Sequence, residues 1–289
     1  MENQTWWKKL WRPLSVSAGW LWESLTPLSL INSMVPKEGY QKQIGIGYGE
    51  LARQKLDVYI PKIETQDLPV VVFFYGGSWQ SGRRKDYRFV AQALTARGFV
   101  AVIPDYRVYP EAKFPTFLED GAAAVSWVRN NIGDFGGEAS RLFLMGHSAG
   151  AYMAAMLALN PSYLAQAGMS AHEIKGFIGL AGPYDFLPLK SPRLIEIFGS
   201  ADGIPETQPV NFVSANAPPA LLLHGARDEI VLPKNTEHLA EGLRQAGGRV
   251  AEKIYPGIKH IRLLIVLATP FQNGEPMMED IVEFIRVTG

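Results

Sequence analysis

The stretch Leu142-Phe143-Leu144-Met145-Gly146-His147-Ser148-Ala149-Gly150 places a serine between an apolar run and an alanine-rich segment. The apolar run predicts a buried strand, and the residues from Ala151 to Leu159 predict a helix. A serine at a sharp strand-to-helix turn is held in a strained backbone conformation that exposes its hydroxyl. The glycines on either side lack a Cβ, so the strand and the helix can approach closely. Ser148 is therefore a candidate nucleophile, and an ordinary strand-to-helix turn is the alternative.

Two sets of backbone amides are candidates for stabilising an oxyanion. The amide of Ala149 begins the predicted helix, where N–H groups lack partners and the helix dipole favours negative charge. The second set follows the predicted strand Val70 to Phe74, in Tyr75-Gly76-Gly77-Ser78-Trp79. Consecutive glycines leave the backbone free to direct the amides of Gly76 and Gly77 toward a substrate oxygen. Ser78 and Trp79 are candidates for the substrate pocket, although core packing explains Trp79 almost as well.

Length and composition favour one large α/β domain with an appendage, since 289 residues with 47% hydrophobic content can bury a sizeable core. Lysine plus arginine equals aspartate plus glutamate, at 28 each, so charge gives no general case for nucleic acid binding. The absence of cysteine excludes disulfides and thiolate metal sites but leaves the compartment open. No histidine pair has metal-ligand spacing, and we expect neither a metal nor another cofactor.

Predicted strands and helices alternate from Gly39 onward, which indicates a mostly parallel, twisted sheet with helices on both faces. The first two strands, Gln43 to Tyr48 and Leu56 to Ile60, are predicted to form an antiparallel hairpin. The later predicted strands are Val70 to Phe74, Phe99 to Ile103, Arg141 to Met145, Lys175 to Leu180, Ala220 to Leu223 and Val250 to Tyr255. The predicted helices are Arg88 to Arg97, Phe117 to Asn131, Ala151 to Leu159, Thr236 to Ala246 and Met278 to Val287. Active sites in such sheets lie at the carboxyl ends of the strands.

An acid and a base follow the last two predicted strands. Asp228 comes shortly after Ala220 to Leu223 and is the candidate to orient a histidine, with Glu229 as its rival. His260 lies on a tight loop after Val250 to Tyr255, where it can sit above Ser148 and exchange its proton. Among the other histidines, we expect His147 to point away from the serine and His224 to have a structural role. His172 and His238 are expected in a loop and a helix.

The N-terminal segment, residues 1–38, is predicted to be an amphipathic helical unit that lies outside the catalytic domain of residues 39–289. Five of the seven tryptophans fall between Thr5 and Val35, and apolar residues recur at steps of three and four. Pro27 is expected to end or kink the helix. Three alternatives remain open: a helix packed over the domain as a cap, a peripheral membrane contact, and an export signal. The expected location is accordingly cytoplasmic or peripheral to a membrane, with export not excluded.

These motifs together resemble a carboxylesterase of the α/β-hydrolase fold, close to bacterial hormone-sensitive-lipase-like and feruloyl-esterase-like enzymes and to kynurenine formamidases. Gly146-His147-Ser148-Ala149-Gly150 resembles the nucleophile elbow of that fold. Tyr75-Gly76-Gly77-Ser78-Trp79 resembles an oxyanion motif in which the family usually has histidine where Tyr75 stands. The segment Asp105 to Glu111 is similar to an Asp-Tyr-Arg-x-x-Pro-Glu element that usually supports the site. The order Ser148, Asp228, His260 matches the family order of nucleophile, acid and base.

The resemblance implies a serine carboxylesterase that forms an acyl-enzyme on small or medium hydrophobic esters. An arylformamidase would use the same residues, and a non-catalytic binding protein of the same fold is an alternative from another class. Residues 183–216 are expected to leave the sheet as a small helical cap insertion, with Phe186 and Leu187 lining the pocket. A small-molecule ester is the expected partner, and the sequence leaves the oligomeric state open.

Overall fold

The computed structural model describes residues 28–63, 66–200, 202–272 and 274–289. Its strands are β1 (Tyr40–Gly47), β2 (Lys55–Pro61), β3 (Leu68–Phe74), β4 (Val100–Pro104), β5 (Gly137–His147), β6 (Ile174–Leu180), β7 (Ala220–Gly225) and β8 (Val250–Tyr255). Its α-helices are α1 (Leu28–Met34), α2 (Arg88–Thr95), α3 (Thr116–Asn131), α4 (Ala149–Leu159), α5 (Pro161–Gln166), α6 (Pro192–Phe198), α7 (Lys234–Gln245), α8 (His260–Ile265) and α9 (Met277–Thr288). Short 3-10 helices are Arg84–Tyr87, Ile132–Phe135, Ala171–Glu173, Pro205–Thr207, Pro209–Phe212 and Thr269–Phe271.

The eight strands form one sheet in the order β1-β2-β4-β3-β5-β6-β7-β8. β1 pairs with β2 and β2 with β4 in antiparallel fashion, whereas every pair from β4 to β8 is parallel. The predicted fold class is confirmed: a mostly parallel sheet, an antiparallel opening hairpin and helices that connect the parallel strands. Because the parallel strands share one direction, the loops after β3, β5, β7 and β8 meet at the same edge of the sheet.

The centre of the sheet is buried on both faces. Every residue of β3, β4 and β6 except Lys175 is buried, as is the run from Leu142 to His147 in β5. Helix α4, which follows the Ser148 turn, is buried along its whole length and packs on β5 and β6. A continuous apolar strand covered on both faces is what a central parallel strand requires. The serine turn therefore stands on strands that are packed on both faces.

Most predicted elements match the structure to within a few residues, and the position of His260 differs. His260 was predicted on a loop, whereas it is the first residue of the short helix α8. Much of the predicted N-terminal amphipathic helix falls in residues 1–27, outside the described residues. The segment 183–216 leaves the sheet between β6 and β7 and carries α6 and two 3-10 helices. Its role as a cap stays a prediction.

Residues 28–38, the described end of the predicted N-terminal segment, pack on the rest of the chain. Ile31 of helix α1 is buried in the common core. The side chain of Asn32 accepts a hydrogen bond from the amide of Phe89 at 3.0 Å and donates to the carbonyl of Lys85 at 3.0 Å. Arg88 donates to the carbonyl of Pro36 at 2.9 Å. Within the described residues, no helix is both long and apolar enough to cross a membrane.

Candidate active site

Ser148 occupies the apex of a turn that only small residues allow. Its backbone has φ 55° and ψ −123°, a positive-φ conformation outside the regions that a residue with a Cβ ordinarily adopts, and it is therefore strained. A Cβ on Gly150 would lie 1.9 Å from the carbonyl oxygen of Phe74, and one on Gly146 would lie 2.1 Å from the carbonyl oxygen of Gly150. The amide of Ser148 donates to the carbonyl of Leu180 at 2.9 Å. The predicted elbow geometry is therefore present, and backbone packing holds it.

Asp228 and His260 meet through a short, buried hydrogen bond. The Nδ1 of His260 lies 2.6 Å from Oδ2 of Asp228. The other carboxylate oxygen accepts the amides of Ile230 and Val231, each at 2.9 Å. Glu229, the rival acid, is exposed. The carboxylate of Asp228 thus has both oxygens engaged, which fixes the orientation of the imidazole that it holds.

A second histidine reaches the same carboxylate. The Nε2 of His224 lies 3.2 Å from Oδ2 of Asp228 and 2.8 Å from the carbonyl of Val231. Because both partners accept hydrogen bonds, Nε2 carries the proton, and Nδ1 is left to interact with Oγ1 of Thr236 at 2.8 Å. Burial alone would raise the pKa of Asp228, but hydrogen bonds from His224 and His260 hold it well below its usual range. The sequence suggested a structural role for His224 without indicating this contact.

His147 packs against the backbone and ring of His260. Its Nε2 lies 3.1 Å from the carbonyl oxygen of His260, and because that oxygen only accepts, Nε2 donates. The two rings lie 4.7 Å apart between centroids. Burial, together with the nearby His260, lowers the pKa of His147 to about 3. Sequence reasoning placed this ring away from the serine and missed its contact with His260, which depends on a residue 113 positions away.

Ser148 and His260 both line one cavity of about 470 Å³. Gly76, Gly77 and Ser78 line the same cavity, so the two predicted loops and the elbow come together there. The remaining lining residues come from α1, the β1–β2 turn, the segment 81–87 after β3, the end of β5, the loop after β7 and α8. They are Leu28, Arg53, Ser81, Gly82, Arg83, Asp86, Tyr87, His147, Ile230, Ile261 and Leu264.

The loop after β3 has a backbone that depends on glycine. Gly77 has φ 127°, and a Cβ there would lie 2.3 Å from the carbonyl oxygen of Ser81. Ser78 and Trp79 also have positive φ, at 53° and 58°. Among the described residues, the amides of Gly77 and Ala149 have no hydrogen-bond acceptor. Both are therefore available to a substrate oxygen in the cavity beside Ser148.

Tyr75, which stands where the resembling family usually has histidine, is a fully buried brace of this loop. Its ring stacks between Tyr87 and Tyr106, at centroid distances of 5.2 and 4.8 Å. Its hydroxyl donates to Oδ1 of Asp105 at 2.9 Å, while Tyr106 donates to its carbonyl at 2.7 Å. Burial raises the pKa of Tyr75 well above its ordinary value, so the phenol keeps the proton that it donates. The segment after β4 therefore supports the loop of residues 75–79, which is the candidate oxyanion loop and is called the oxyanion loop below.

Three predicted pocket residues lie elsewhere. Trp79 is 3% exposed and belongs to an aromatic cluster in which it stacks on Phe186 at 6.0 Å and meets Tyr152 edge-on at 5.1 Å. Phe186 and Leu187 are partly buried, and neither is among the residues that line the cavity with Ser148. Trp79 is therefore packed in the core, which is the alternative that the sequence left open for it. Ser78, the fourth predicted pocket residue, does line the cavity.

The remaining histidines and acids form no metal site in the part of the chain that the structure describes. His172 and His238 are exposed, and His238 pairs with Asp185 at 2.6 Å. Within the described residues, no group of three histidine, aspartate or glutamate side chains is arranged to hold a metal ion.

Known proteins with similar sequences include enzymes named as esterases. The chain is 29% identical over 264 residues to a probable isoprenylcysteine alpha-carbonyl methylesterase of Arabidopsis thaliana, covering 83% of this chain and 55% of the relative. It is 30% identical over 233 residues to esterase LipC of Mycobacterium tuberculosis, covering 74% and 58%. This chain therefore spans less than two thirds of each of these relatives.

A solved structure described as a truncated form of carbohydrate esterase from gut microbiota aligns with a TM-score of 0.76. The alignment has 20% sequence identity and covers 88% of this chain and 98% of the other, so it supports the α/β-hydrolase fold. The BD-FAE family model matches residues 56–243, which include Ser148 and Asp228. The resemblance to α/β-hydrolase carboxylesterases is thus confirmed, and because the matched range exceeds half of its length, this chain belongs to the BD-FAE family.

Proposed function

We propose that this protein is a serine carboxylesterase in which Ser148, His260 and Asp228 act as nucleophile, base and acid. The observation that carries the proposal is the meeting of two separate features in one cavity: the strained Ser148 turn and the His260–Asp228 pair at 2.6 Å. Relatives named as esterases support ester hydrolysis as the reaction class. The retention of all three side chains in these positions argues against the non-catalytic alternative.

In the proposed mechanism, Ser148 attacks the ester carbonyl while Nε2 of His260 takes the hydroxyl proton. Asp228 holds the opposite nitrogen and stabilises the imidazolium that forms. The amides of Gly77 and Ala149, with Gly76 beside them, stabilise the oxyanion of the tetrahedral intermediate. His260 then gives its proton to the leaving alcohol, and an acyl group stays on Ser148. Water, activated by His260, attacks the acyl-enzyme and releases the acid.

The cavity supports small or medium hydrophobic substrates. The apolar side chains of Leu28, Ile230, Ile261 and Leu264 face it from three separate segments. A volume of about 470 Å³ lies at the lower end of the range typical of small-molecule pockets. We therefore infer that short and medium acyl or aryl esters are hydrolysed faster than long-chain ones. The names of the plant relatives make methyl esters a further class to test.

The direct experiment is hydrolysis of a 4-nitrophenyl ester series from acetate to palmitate by wild type and by Ser148→Ala. We expect turnover with a short- or medium-chain optimum and a loss of kcat on the order of 10⁶-fold in the variant, as for another serine hydrolase that lost its nucleophile. N-formylkynurenine, measured in parallel, tests the formamidase alternative. Formamide turnover far above ester turnover would replace the esterase proposal, and no turnover of either substrate by folded protein would contradict it.

A further inference from the structure

We propose that Arg53 forms an anionic subsite in the cavity of Ser148, so that esters bearing a carboxylate are preferred over neutral esters of the same size. This proposal rests on the proposed esterase function and deepens it by naming a substrate class. Arg53 follows β1, at the turn before β2, and its side chain lines the same cavity as Ser148 and His260. It is a specificity residue in this proposal, with no part in the proton transfers.

The guanidinium of Arg53 is held in place by three neutral acceptors. Its Nε donates to the carbonyl of Tyr106 at 2.8 Å. Its Nη2 donates to the hydroxyl of Tyr75 at 3.0 Å and to the carbonyl of Gly82 at 2.7 Å. These bonds orient the planar group before any substrate arrives. An oriented guanidinium loses little conformational freedom on binding, which is why arginine suits recognition of carboxylates.

Neighbouring arginines are already paired, and Arg53 is not. Arg84 bonds both Asp57 and Asp105, and Arg83 bonds Asp86 at 3.1 Å. Within the described residues, no carboxylate lies within 4.0 Å of the Arg53 guanidinium, and its Nη1 has no acceptor. The cavity wall thus contains an oriented cation whose Nη1 can still donate hydrogen bonds.

A carboxylate on the substrate is the complementary group. Charge-assisted hydrogen bonds to an oriented guanidinium are stronger than neutral ones, and partial burial reduces their screening by salt. The guanidinium of Arg53 is oriented by its hydrogen bonds, and its side chain is half-buried, so both conditions are met. Asp86, which also lines the cavity, is neutralised by Arg83, so it opposes an incoming anion less than a free carboxylate would.

Arg53 also braces the oxyanion loop through Tyr75 and Gly82, so its removal is expected to slow every substrate. The informative quantity is therefore a ratio, the kcat/KM of an anionic ester divided by that of its neutral counterpart. A disturbed loop lowers both values and leaves the ratio unchanged, whereas a lost anionic subsite lowers the ratio. This separates the subsite from the structural role of the same side chain.

The experiment compares mono-4-nitrophenyl glutarate with 4-nitrophenyl hexanoate, and the acetate of 3-hydroxybenzoate with the acetate of 3-methylphenol. The first pair places the anion on the acyl side and the second on the alcohol side. The kcat/KM values of wild type, Arg53→Met, Arg53→Gln and the control Arg129→Met are each divided by the alkaline hydrolysis rate of the same ester. Arg129 pairs with Glu173 at 2.8 Å and does not line the cavity. Two neutral replacements at position 53 guard against a variant that does not fold.

We expect one pair to give a ratio above unity in wild type and a fall of about tenfold in that ratio in both Arg53 variants. Arg129→Met is expected to leave the ratio within about twofold of wild type, because it removes a cation that does not line the cavity. Ratios at or below unity in both pairs, or ratios that Arg53→Met and Arg53→Gln leave unchanged, would overturn the subsite. Ser148-dependent turnover of neutral esters would then leave the proposed function standing, whereas its absence would remove both.

Discussion

The two halves of the candidate active site are held by different kinds of interaction. Ser148 is positioned by backbone atoms: the close approach of Gly150 to Phe74 and the amide bond to Leu180. His260 is positioned by side chains, through Asp228 at its Nδ1 and His147 at its carbonyl. The serine half is encoded within one short stretch of sequence, whereas the histidine half is assembled from three strand ends.

This difference predicts two kinds of sensitivity. Backbone packing at the serine turn leaves no room for added atoms, so substitutions there damage folding before they damage chemistry. Side-chain hydrogen bonds at the histidine tolerate isosteric replacement, so substitutions there damage chemistry while the fold persists. Three experiments test this division, from the largest expected effect to the smallest.

Replacing Asp228 with asparagine tests the histidine half. We expect kcat to fall by about 10⁴-fold, the size known for the corresponding change in a serine protease, because the amide no longer stabilises the imidazolium. The asparagine oxygen still accepts the amides of Ile230 and Val231, so the fold is expected to persist. Its amide nitrogen faces the Nε2–H of His224 and cannot accept from it, so the free energy of unfolding is expected to fall by about 1–3 kcal/mol. Ester kinetics and urea denaturation measure the two quantities.

Glu229→Gln is the matched control, because Glu229 is the adjacent and exposed carboxylate. Its kcat is expected to stay within about twofold of wild type. If Asp228→Asn lost less than about tenfold, or if Glu229→Gln lost as much, the assignment of the acid would be wrong.

Replacing Gly150 with alanine tests the serine half. The new Cβ would lie 1.9 Å from the carbonyl oxygen of Phe74, and both residues are buried. We expect the free energy of unfolding to fall by at least about 3 kcal/mol, or the variant to be insoluble. Urea denaturation and soluble yield are the measurements.

Gly133→Ala provides the control, since a Cβ at that exposed glycine meets no atom within 4 Å. Its free energy of unfolding is expected to stay within about 0.5 kcal/mol of wild type. Equal stability of the two variants would show that close backbone approach does not hold the serine turn.

The loss of folding stability at acid pH that His147 causes is the smallest of the three expected effects. In the folded protein His147 has a pKa lowered to about 3, whereas an unfolded histidine has a pKa of about 6.5. Between these values the unfolded chain binds the extra proton, so stability falls as pH falls, by up to about 1.4 kcal/mol per pH unit from this residue. Asp228, whose pKa is also lowered, adds a further loss only below about pH 4.

Urea denaturation between pH 6.5 and 4.5 isolates the histidine contribution. His147→Gln keeps a donor for the carbonyl of His260 and removes the titrating group, so its stability is expected to depend less on pH than that of wild type. Identical pH dependence in both proteins would contradict a buried, neutral His147.

The sequence predicted the fold class, the elbow and the positions of most strands and helices. Its success at Ser148 is due to local chemistry, because glycine spacing, an apolar strand and a helix start are all readable from nine consecutive residues. It failed to place the rings of His147 and His224. The contact of His147 with His260 joins residues 113 positions apart. The contact of His224 with Asp228 spans four residues and depends on the conformation of the loop after β7.

The oxyanion loop is a second region whose side-chain contacts the sequence could not predict. Sequence alone raised the tyrosine at position 75 as a departure from the resembling family. The structure explains it through the stack with Tyr87 and Tyr106 and the bonds to Asp105 and Arg53, which come from three other segments. The sequence suited Trp79 almost equally to the pocket or the core and assigned Phe186 to the pocket, and only the tertiary packing places both in the aromatic cluster.

The sequence by itself determined the parallel sheet, the strained serine turn and the order of serine, acid and histidine. These follow from hydrophobic periodicity and glycine spacing, which act over a few neighbouring residues. Only the tertiary structure decided which histidines meet Asp228, what braces the oxyanion loop and which side chains line the cavity. Those features depend on side-chain directions at the shared edge of the sheet, which are set when segments distant in the chain pack together.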